Sequence, residues 1–181
     1  MIHSPCVLLA FTLLFAPLLT PASAQSIDPT FYYKLSTQFR GNGMKLDVFN
    51  GGPKNNLTRL ERDQDVSGQF WRFVGDSDDT FRLSTLFRGP SMCLDIFNGG
   101  PKNNQPHLVN CANFTGQLWN IVETGDGEWF RLTTKFRGPS MCLDIFNGGA
   151  NNNQPHLVKC ANFTGQLWTL TKTDKGVEGG P

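Results

Sequence analysis

Three aspartates recur along the chain at almost equal intervals, and each is followed two residues later by a phenylalanine. The interval between successive aspartates is 48 residues and then 49. The pairs are Asp47 with Phe49, Asp95 with Phe97, and Asp144 with Phe146. A carboxylate accepts hydrogen bonds from hydroxyl groups, and an aromatic ring packs against the apolar face of a pyranose. Such a pair suits a polyhydroxylated ligand, although the aspartate can instead cap a turn before Asn-Gly-Gly and a loop can cover the phenylalanine.

Two histidines, His107 and His156, occupy equivalent places after the second and third aspartates. Each can hydrogen-bond a ligand hydroxyl or pack on the surface. They do not form a zinc pair, because no third or fourth ligand lies at a suitable spacing. No Ser/His/Asp or Cys/His constellation and no carboxylate pair for glycoside hydrolysis is identifiable. The residues therefore predict binding rather than catalysis, with no metal and no cofactor.

The elements that carry these residues belong to one repeated unit. Trp71, Trp119 and Trp168 show the same spacing of 48 and then 49 residues. Aligned without gaps, segments 81–119 and 130–168 are identical at 34 of 39 positions, and segment 33–71 matches 81–119 at 21 of 39. We place the units at about residues 31–74, 81–122 and 130–171, within one domain of residues 25–173. Units this small cannot each bury a core, so all three must share one.

Short alternating segments predict an all-β chain. Leu94 and Ile96 fall on one face of a strand, whereas Cys93, Asp95 and Phe97 fall on the other. The aspartates are therefore expected to point outward. A closed barrel with three-fold symmetry shares one core and removes sheet edges. A three-bladed propeller or an open solenoid is the alternative, although three blades are fewer than propellers usually have.

Each unit ends in Gln-x-Trp, and the second and third units carry Cys-Leu-Asp with another cysteine eighteen residues after the first. This combination resembles the ricin-type (R-type) β-trefoil lectin family over about residues 31–171. The resemblance implies a β-trefoil with pseudo-three-fold symmetry and aspartates that hydrogen-bond a sugar. It also implies disulfides within units, and these are Cys93–Cys111 and Cys142–Cys160. The tryptophans are predicted core residues, and their glutamine neighbours are predicted to satisfy buried backbone groups. The candidate glycan-binding residues are Asp47, Asp95, Asp144, His107, His156, Gln117, Gln166, Phe97 and Phe146.

Several positions depart from the family pattern. The family often has asparagine directly before the glutamine of Gln-x-Trp, where this chain has Gly68, Gly116 and Gly165. It often has an aromatic residue two positions before the second cysteine, where this chain has Glu61, Val109 and Val158. These departures leave the preferred sugar open. In the first unit Lys45 and Asp63 replace the cysteines, and they form either a substitute ion pair or two solvated residues.

The two ends of the chain predict export and a short tail. An apolar run from Cys6 to Leu19 precedes Ala22-Ser23-Ala24, which predicts a signal peptide of residues 1–24 cleaved before Gln25. An uncleaved membrane anchor is the alternative. Cleavage leaves four cysteines, an even number that suits disulfides in an exported protein. Residues 174–181 are predicted to form a disordered tail. Three glycosylation sequons begin at Asn56, Asn113 and Asn162.

The charge balance narrows the class of partner. Sixteen basic and fifteen acidic residues give a net charge of +1, which argues against a nucleic-acid binder. No segment beyond the N-terminal run is apolar enough to span a bilayer. We predict a secreted, monomeric, lectin-like module that binds glycans or glycoconjugates through up to three shallow sites. The alternative is a secreted β-trefoil that binds or inhibits a protein, with degenerate sugar pockets.

Overall fold

A computed structural model of the protein describes residues 27–76, 79–125 and 127–178. The predicted signal peptide, with Cys6, lies outside the described residues. In the described part of the chain every helical segment is a 3-10 turn of three residues, and all other regular structure is β-strand. No helix in these ranges is long and apolar enough to cross a membrane.

Each unit contributes four strands. The first unit contains β1 (Phe31–Thr37), β2 (Met44–Val48), β3 (Thr58–Arg62) and β4 (Trp71–Gly75). The second contains β5 (Phe81–Thr85), β6 (Met92–Ile96), β7 (Pro106–Asn110) and β8 (Trp119–Glu123). The third contains β9 (Phe130–Thr134), β10 (Met141–Ile145), β11 (Pro155–Lys159) and β12 (Trp168–Gly176). The 3-10 turns are Gly52–Lys54, Ser67–Gln69, Gly100–Lys102, Thr115–Gln117, Gly149–Asn151 and Thr164–Gln166.

The first and last strands of each unit form a closed six-stranded barrel in the order β1-β12-β9-β8-β5-β4. The two middle strands of each unit pair as antiparallel hairpins, β2 with β3, β6 with β7 and β10 with β11. Backbone bonds join these hairpins to one another, since Leu108 N donates to Asn56 O at 2.9 Å and Leu157 N donates to Asn104 O at 2.9 Å. The fold is a β-trefoil, which confirms the closed three-fold barrel and rules out a propeller or a solenoid.

The three tryptophans form the centre of the shared core. Trp71, Trp119 and Trp168 are fully buried. Each indole Nε1 donates a 2.8 Å hydrogen bond to the carbonyl 25 residues earlier, at Leu46, Leu94 and Leu143. This bond ties the start of the last strand of a unit to its hairpin. The prediction that these residues belong to the core is confirmed.

The second and third hairpins are held by the disulfides that the family resemblance implies. Cys93–Cys111 and Cys142–Cys160 both have Cα atoms 4.9 Å apart. In the first unit, Lys45 and Asp63 form neither the expected ion pair nor two solvated residues. Lys45 is only 5% exposed, and its Nζ donates to Ser36 Oγ at 2.9 Å, whereas Asp63 pairs with Lys34. Burial lowers the pKa of the Lys45 ammonium, while Asp63 opposes that shift from a distance.

The C-terminal tail starts later than the sequence predicts. Residues 174–176 belong to β12, where Gly176 pairs with Phe31. Val177 N also donates to Thr30 O at 2.8 Å, which extends the pairing by one residue. The two ends of the domain are thus joined by backbone hydrogen bonds.

Candidate functional site

The three repeated aspartates are anchored by the protein rather than pointing freely outward. In the second unit Asp95 Oδ1 accepts a 2.7 Å bond from Ile96 N, and Oδ2 accepts a 3.1 Å bond from Gln117 Nε2. Asp47 and Asp144 repeat both bonds, with Gln69 and Gln166 as their donors. Asp95 is only 9% exposed and Asp47 and Asp144 are half-buried, so these side chains are held by the protein instead of projecting freely into solvent. Each carboxylate oxygen has two lone pairs, so the anchored group can still accept bonds from a ligand.

The glutamines of Gln-x-Trp hold the aspartates and do not face solvent. Gln117 Oε1 accepts from Ala112 N at 2.8 Å, and its Nε2 also donates to Asn110 O at 3.1 Å. Gln166 makes the same bonds to Ala161 and Lys159. Both glutamines are fully buried. Their polar atoms are enclosed and already bonded, so these glutamines position the carboxylate, while their direct contact with a ligand stays a prediction.

The glycine before each glutamine makes room for the carboxylate. A Cβ atom at Gly116 would lie 2.1 Å from Asp95 Oδ1, and one at Gly165 would lie 2.1 Å from Asp144 Oδ1. Such a separation is far below a van der Waals contact. The glycine that replaces the family's common asparagine thus leaves space for an aspartate that folds back against the 3-10 turn.

The histidines stack on the phenylalanines beside the aspartates. Asp95 and His107 are opposite each other in the β6–β7 register, and the rings of His107 and Phe97 are 3.6 Å apart and 9° from parallel. His156 and Phe146 repeat the stack at 3.6 Å and 13°. Burial lowers the pKa of both imidazoles; the neighbouring aspartate opposes this shift in each case, and Lys102 adds to it for His107.

The first unit has a charged version of this stack. The guanidinium of Arg59 lies 4.3 Å from the centre of the Phe49 ring and forms a 2.9 Å ion pair with Glu61. Arg59 is opposite Asp47 in the β2–β3 register, as the histidines are opposite their aspartates. The first unit therefore carries an ion-paired guanidinium beside its aspartate, where the other two units carry an imidazole.

Each aspartate lines an open cavity between two units that are neighbours around the barrel. The first cavity, of about 580 Å³, includes Asp47, Phe49, Arg59, Glu61, Gly68 and Phe87. The second, of about 210 Å³, is lined by Asp95, Ile96, Asn98, Phe114, Thr115, Gly116 and Phe136. The third, of about 360 Å³, is lined by Phe39, Asp144, Ile145, Asn147, Asn162, Phe163, Thr164 and Gly165. The predicted Phe97, His107, Phe146 and His156 stack next to the second and third aspartates but do not line these cavities.

One wall of every cavity comes from the next unit around the barrel. Phe87 closes the first cavity, Phe136 the second and Phe39 the third. A backbone bond fixes each wall, as Phe136 N donates to Thr115 O at 3.2 Å and Phe39 N donates to Thr164 O at 3.1 Å. Sequence reasoning missed these phenylalanines because their partners lie in another unit. It also missed Phe114 and Phe163, which are 60% exposed, although their occurrence in the repeated Asn-Phe-Thr segment was visible.

An arginine supports each of these walls. The guanidinium of Arg137 lies 4.2 Å from the Phe136 ring centre and donates to Asn103 Oδ1 at 2.6 Å. The same oxygen accepts from Gly99 N at 2.7 Å, in a loop where Gly99 has a φ of 95° that favours glycine. Arg88 with Asn55 and Arg40 with Asn152 repeat this arrangement. The aromatic wall from one unit is thus tied to the Asn-Gly-Gly loop of the preceding unit.

No protein-family model matches the chain, and a comparison with curated proteins gives no match. Solved structures share the fold. The designed three-fold symmetric protein ThreeFoil is 22% identical with a TM-score of 0.64, over 77% of this chain and 97% of that one. A ricin B-like lectin of Macrolepiota procera, solved in complex with lactose, is 19% identical with a TM-score of 0.62, over 82% and 100%. SeviL bound to asialo-GM1 saccharide is 20% identical with a TM-score of 0.57, over 79% and 98%. At these identities the likeness establishes the β-trefoil fold.

Proposed function

We propose that the protein is a secreted, monomeric glycan-binding module with up to three sites, and that it binds its ligand without catalysing a reaction. The observation that carries this proposal is the three-fold recurrence of one arrangement. In every unit an anchored aspartate lies in an open cavity that also has aromatic side chains. A few fixed polar groups beside apolar walls are the usual make-up of a small-ligand site.

The chemistry of the cavities supports a sugar as the ligand. In the second cavity the Asp95 carboxylate, the Asn98 amide and the Thr115 hydroxyl can exchange hydrogen bonds with ring hydroxyls. Phe136 offers an apolar face to the C–H side of a pyranose. Two of the structural neighbours described above were solved with a bound saccharide. The two disulfides and the N-terminal apolar run support export.

A glycan array tests this function directly. Wild-type protein without the signal segment should bind a defined set of glycans, with branched or polymeric ligands favoured because two rigidly linked sites raise avidity, by about 10²–10⁴-fold where the ligand spans both. Asp95→Ala or Asp144→Ala alone should reduce the avidity, and the double variant should nearly abolish binding. Val122→Ala changes an exposed side chain outside the three cavities and serves as the matched control.

Thermal unfolding of each variant separates loss of binding from loss of fold. Asp95→Asn is the second test, because an amide oxygen still accepts the bond from Ile96 N while the charge is removed. If the double alanine variant is folded and binds its best glycan like wild type, the aspartates are structural. If wild type binds no glycan, the protein-binding alternative replaces this proposal, with the exposed Phe114 and Phe163 as its first contact residues.

A further inference from the structure

We propose that the groove at the junction of two units is a second sugar subsite, which takes another ring of the oligosaccharide held at the aspartate. The seam groove is defined as the space between Phe114 and Phe136 in the second cavity, and between Phe163 and Phe39 in the third. This inference rests on the proposed function and deepens it, since it makes the ligand an oligosaccharide of at least two rings.

In each seam groove one aromatic ring is open to a ligand and the opposite one is held in place. Phe114 and Phe163 are 60% exposed, so their faces are open to solvent. Phe136 on the opposite side packs partly against the core, beneath the guanidinium of Arg137 at 4.2 Å. Arg137 is fixed in turn by its bond to Asn103. A wall that is already ordered loses little conformational entropy when a ligand binds.

The seam groove continues directly from the aspartate. Thr115 lies between Phe114 and Gly116, and Gly116 is the residue against which the Asp95 carboxylate packs. Asn98, in the loop that Arg137 supports, lines the same cavity. A ring held at Asp95 therefore has its neighbour between two aromatic side chains and within reach of a hydroxyl. The Phe97–His107 stack flanks Asp95 from its own hairpin, so the two surfaces are distinct.

Charge and size define the class of ligand. Among the residues that the structure describes, Asp95 is the only charged one that lines the second cavity, and Asp144 is the only one that lines the third. A sialylated or sulfated ring would meet a carboxylate with no cation in the lining to compensate. The volumes, about 210 and 360 Å³, lie at or below the ~300–1,000 Å³ of pockets for drug-sized ligands. These volumes include the space beside the aspartate, so each cavity suits a short neutral ligand of one or two rings and not a longer chain.

The first unit supplies a natural control. Val66 occupies the position of Phe114 and Phe163, so Phe87 has no phenylalanine from that turn as its counterpart; the other described aromatic residue of the first cavity is Phe49. If the seam groove is a subsite, the first site should discriminate little between short and long glycans. Installing the missing ring by Val66→Phe should create the subsite.

The test measures the ratio of oligosaccharide to monosaccharide binding. The probes are arrayed neutral mono-, di- and trisaccharides that share one terminal residue. Phe114→Ala with Phe163→Ala should weaken di- and trisaccharide binding roughly two- to tenfold per site, the range for loss of one aromatic contact, and leave monosaccharide binding unchanged. In a chain with Asp95→Ala and Asp144→Ala, adding Val66→Phe should strengthen binding of the longer probes at the remaining first site.

The outcomes separate this inference from the function on which it rests. If wild type binds none of the probes, the proposed function fails and the subsite with it. If the aspartate variants lose binding but the phenylalanine variants weaken mono- and oligosaccharides equally, or weaken neither, the subsite is overturned and the glycan-binding function stands. Val122→Ala and thermal unfolding again control for a general loss of fold.

Discussion

Replacing Gly116 with alanine should displace the Asp95 carboxylate and so alter the second cavity, which we propose as a binding site. The added methyl would lie 2.1 Å from Asp95 Oδ1 and 3.3 Å from Ile96 N. The carboxylate cannot move without breaking its bonds to Ile96 N and Gln117 Nε2, at 2.7 and 3.1 Å. Gly116 has no positive φ, so alanine is compatible with its backbone conformation and the clash is the sole cause of the effect.

The loss of stability caused by Gly116→Ala can be approximated from this geometry. Inserting a methyl group into a filled site costs about 1–3 kcal/mol. In a domain of this size each kcal/mol lowers the melting temperature by about 2–4 °C. Asp95→Ala by itself leaves Ile96 N without its acceptor, and an unsatisfied buried donor also costs about 1–3 kcal/mol. In the double variant the new methyl meets no carboxylate, so its cost should nearly equal that of Asp95→Ala alone.

Urea unfolding of the two single variants and the double variant measures this coupling. Residues that share a contact show coupling energies of about 0.5–3 kcal/mol, whereas independent sites add. Gly43→Ala is the matched control, because a methyl there meets nothing within 4 Å. Additive costs for Gly116→Ala and Asp95→Ala would refute the packing of the carboxylate against the glycine. So would a Gly116→Ala protein that melts like the Gly43→Ala control.

Three further predictions concern other parts of the molecule. Lys45→Cys with Asp63→Cys should form a third disulfide on oxidation and stabilise a loop of this length by about 3 kcal/mol, measured by thiol titration and unfolding; two free thiols after oxidation would show that the first hairpin differs from the others. Burial lowers the pKa of His107 and His156 from the ordinary 6.5, so the unfolded chain binds protons first as the pH falls. The free energy of unfolding should therefore decrease below about pH 6.5. Replacing both histidines with glutamine should weaken this pH dependence, measured by urea unfolding at several pH values; an unchanged dependence would mean that other groups dominate. A glycan attached at Asn162, which lines the third cavity, should hinder that site. Asn162→Gln protein from a glycosylating host should then bind more strongly than wild type, and equal binding by glycosylated wild type would contradict this.

The parts of the fold that were predictable from the sequence are those that the repeat itself encodes. The spacing of Trp71, Trp119 and Trp168 implies one shared core, and a large apolar residue at a fixed period must be buried in it. The disulfides came from the family resemblance. Comparison of the three copies was sufficient for the shared core, whereas the pairs Cys93–Cys111 and Cys142–Cys160 needed the resemblance as well.

The parts that were not predictable depend on contacts between units or on segments that cover a strand. Strand alternation places Asp95 away from Leu94, but alternation cannot show that the turn Thr115–Gln117 closes over the carboxylate. The buried Lys45 bonds to Ser36 on a different strand. The opposite charges of Lys45 and Asp63 suggested a different partner. Phe136 lines the cavity of the preceding unit. The spacing of residues within one unit cannot predict a contact between units.

The sharing of walls between units has a consequence for the timing of synthesis. The third cavity combines Asp144, made late, with Phe39, made near the start of the chain. The first two cavities draw on consecutive units, so the residues for both are present before the ribosome has completed β12. The third requires the ends of the domain to meet, as they do where β12 pairs with β1. An intact third cavity therefore requires both ends of the domain, and a domain cut short before β12 should lose the third cavity first.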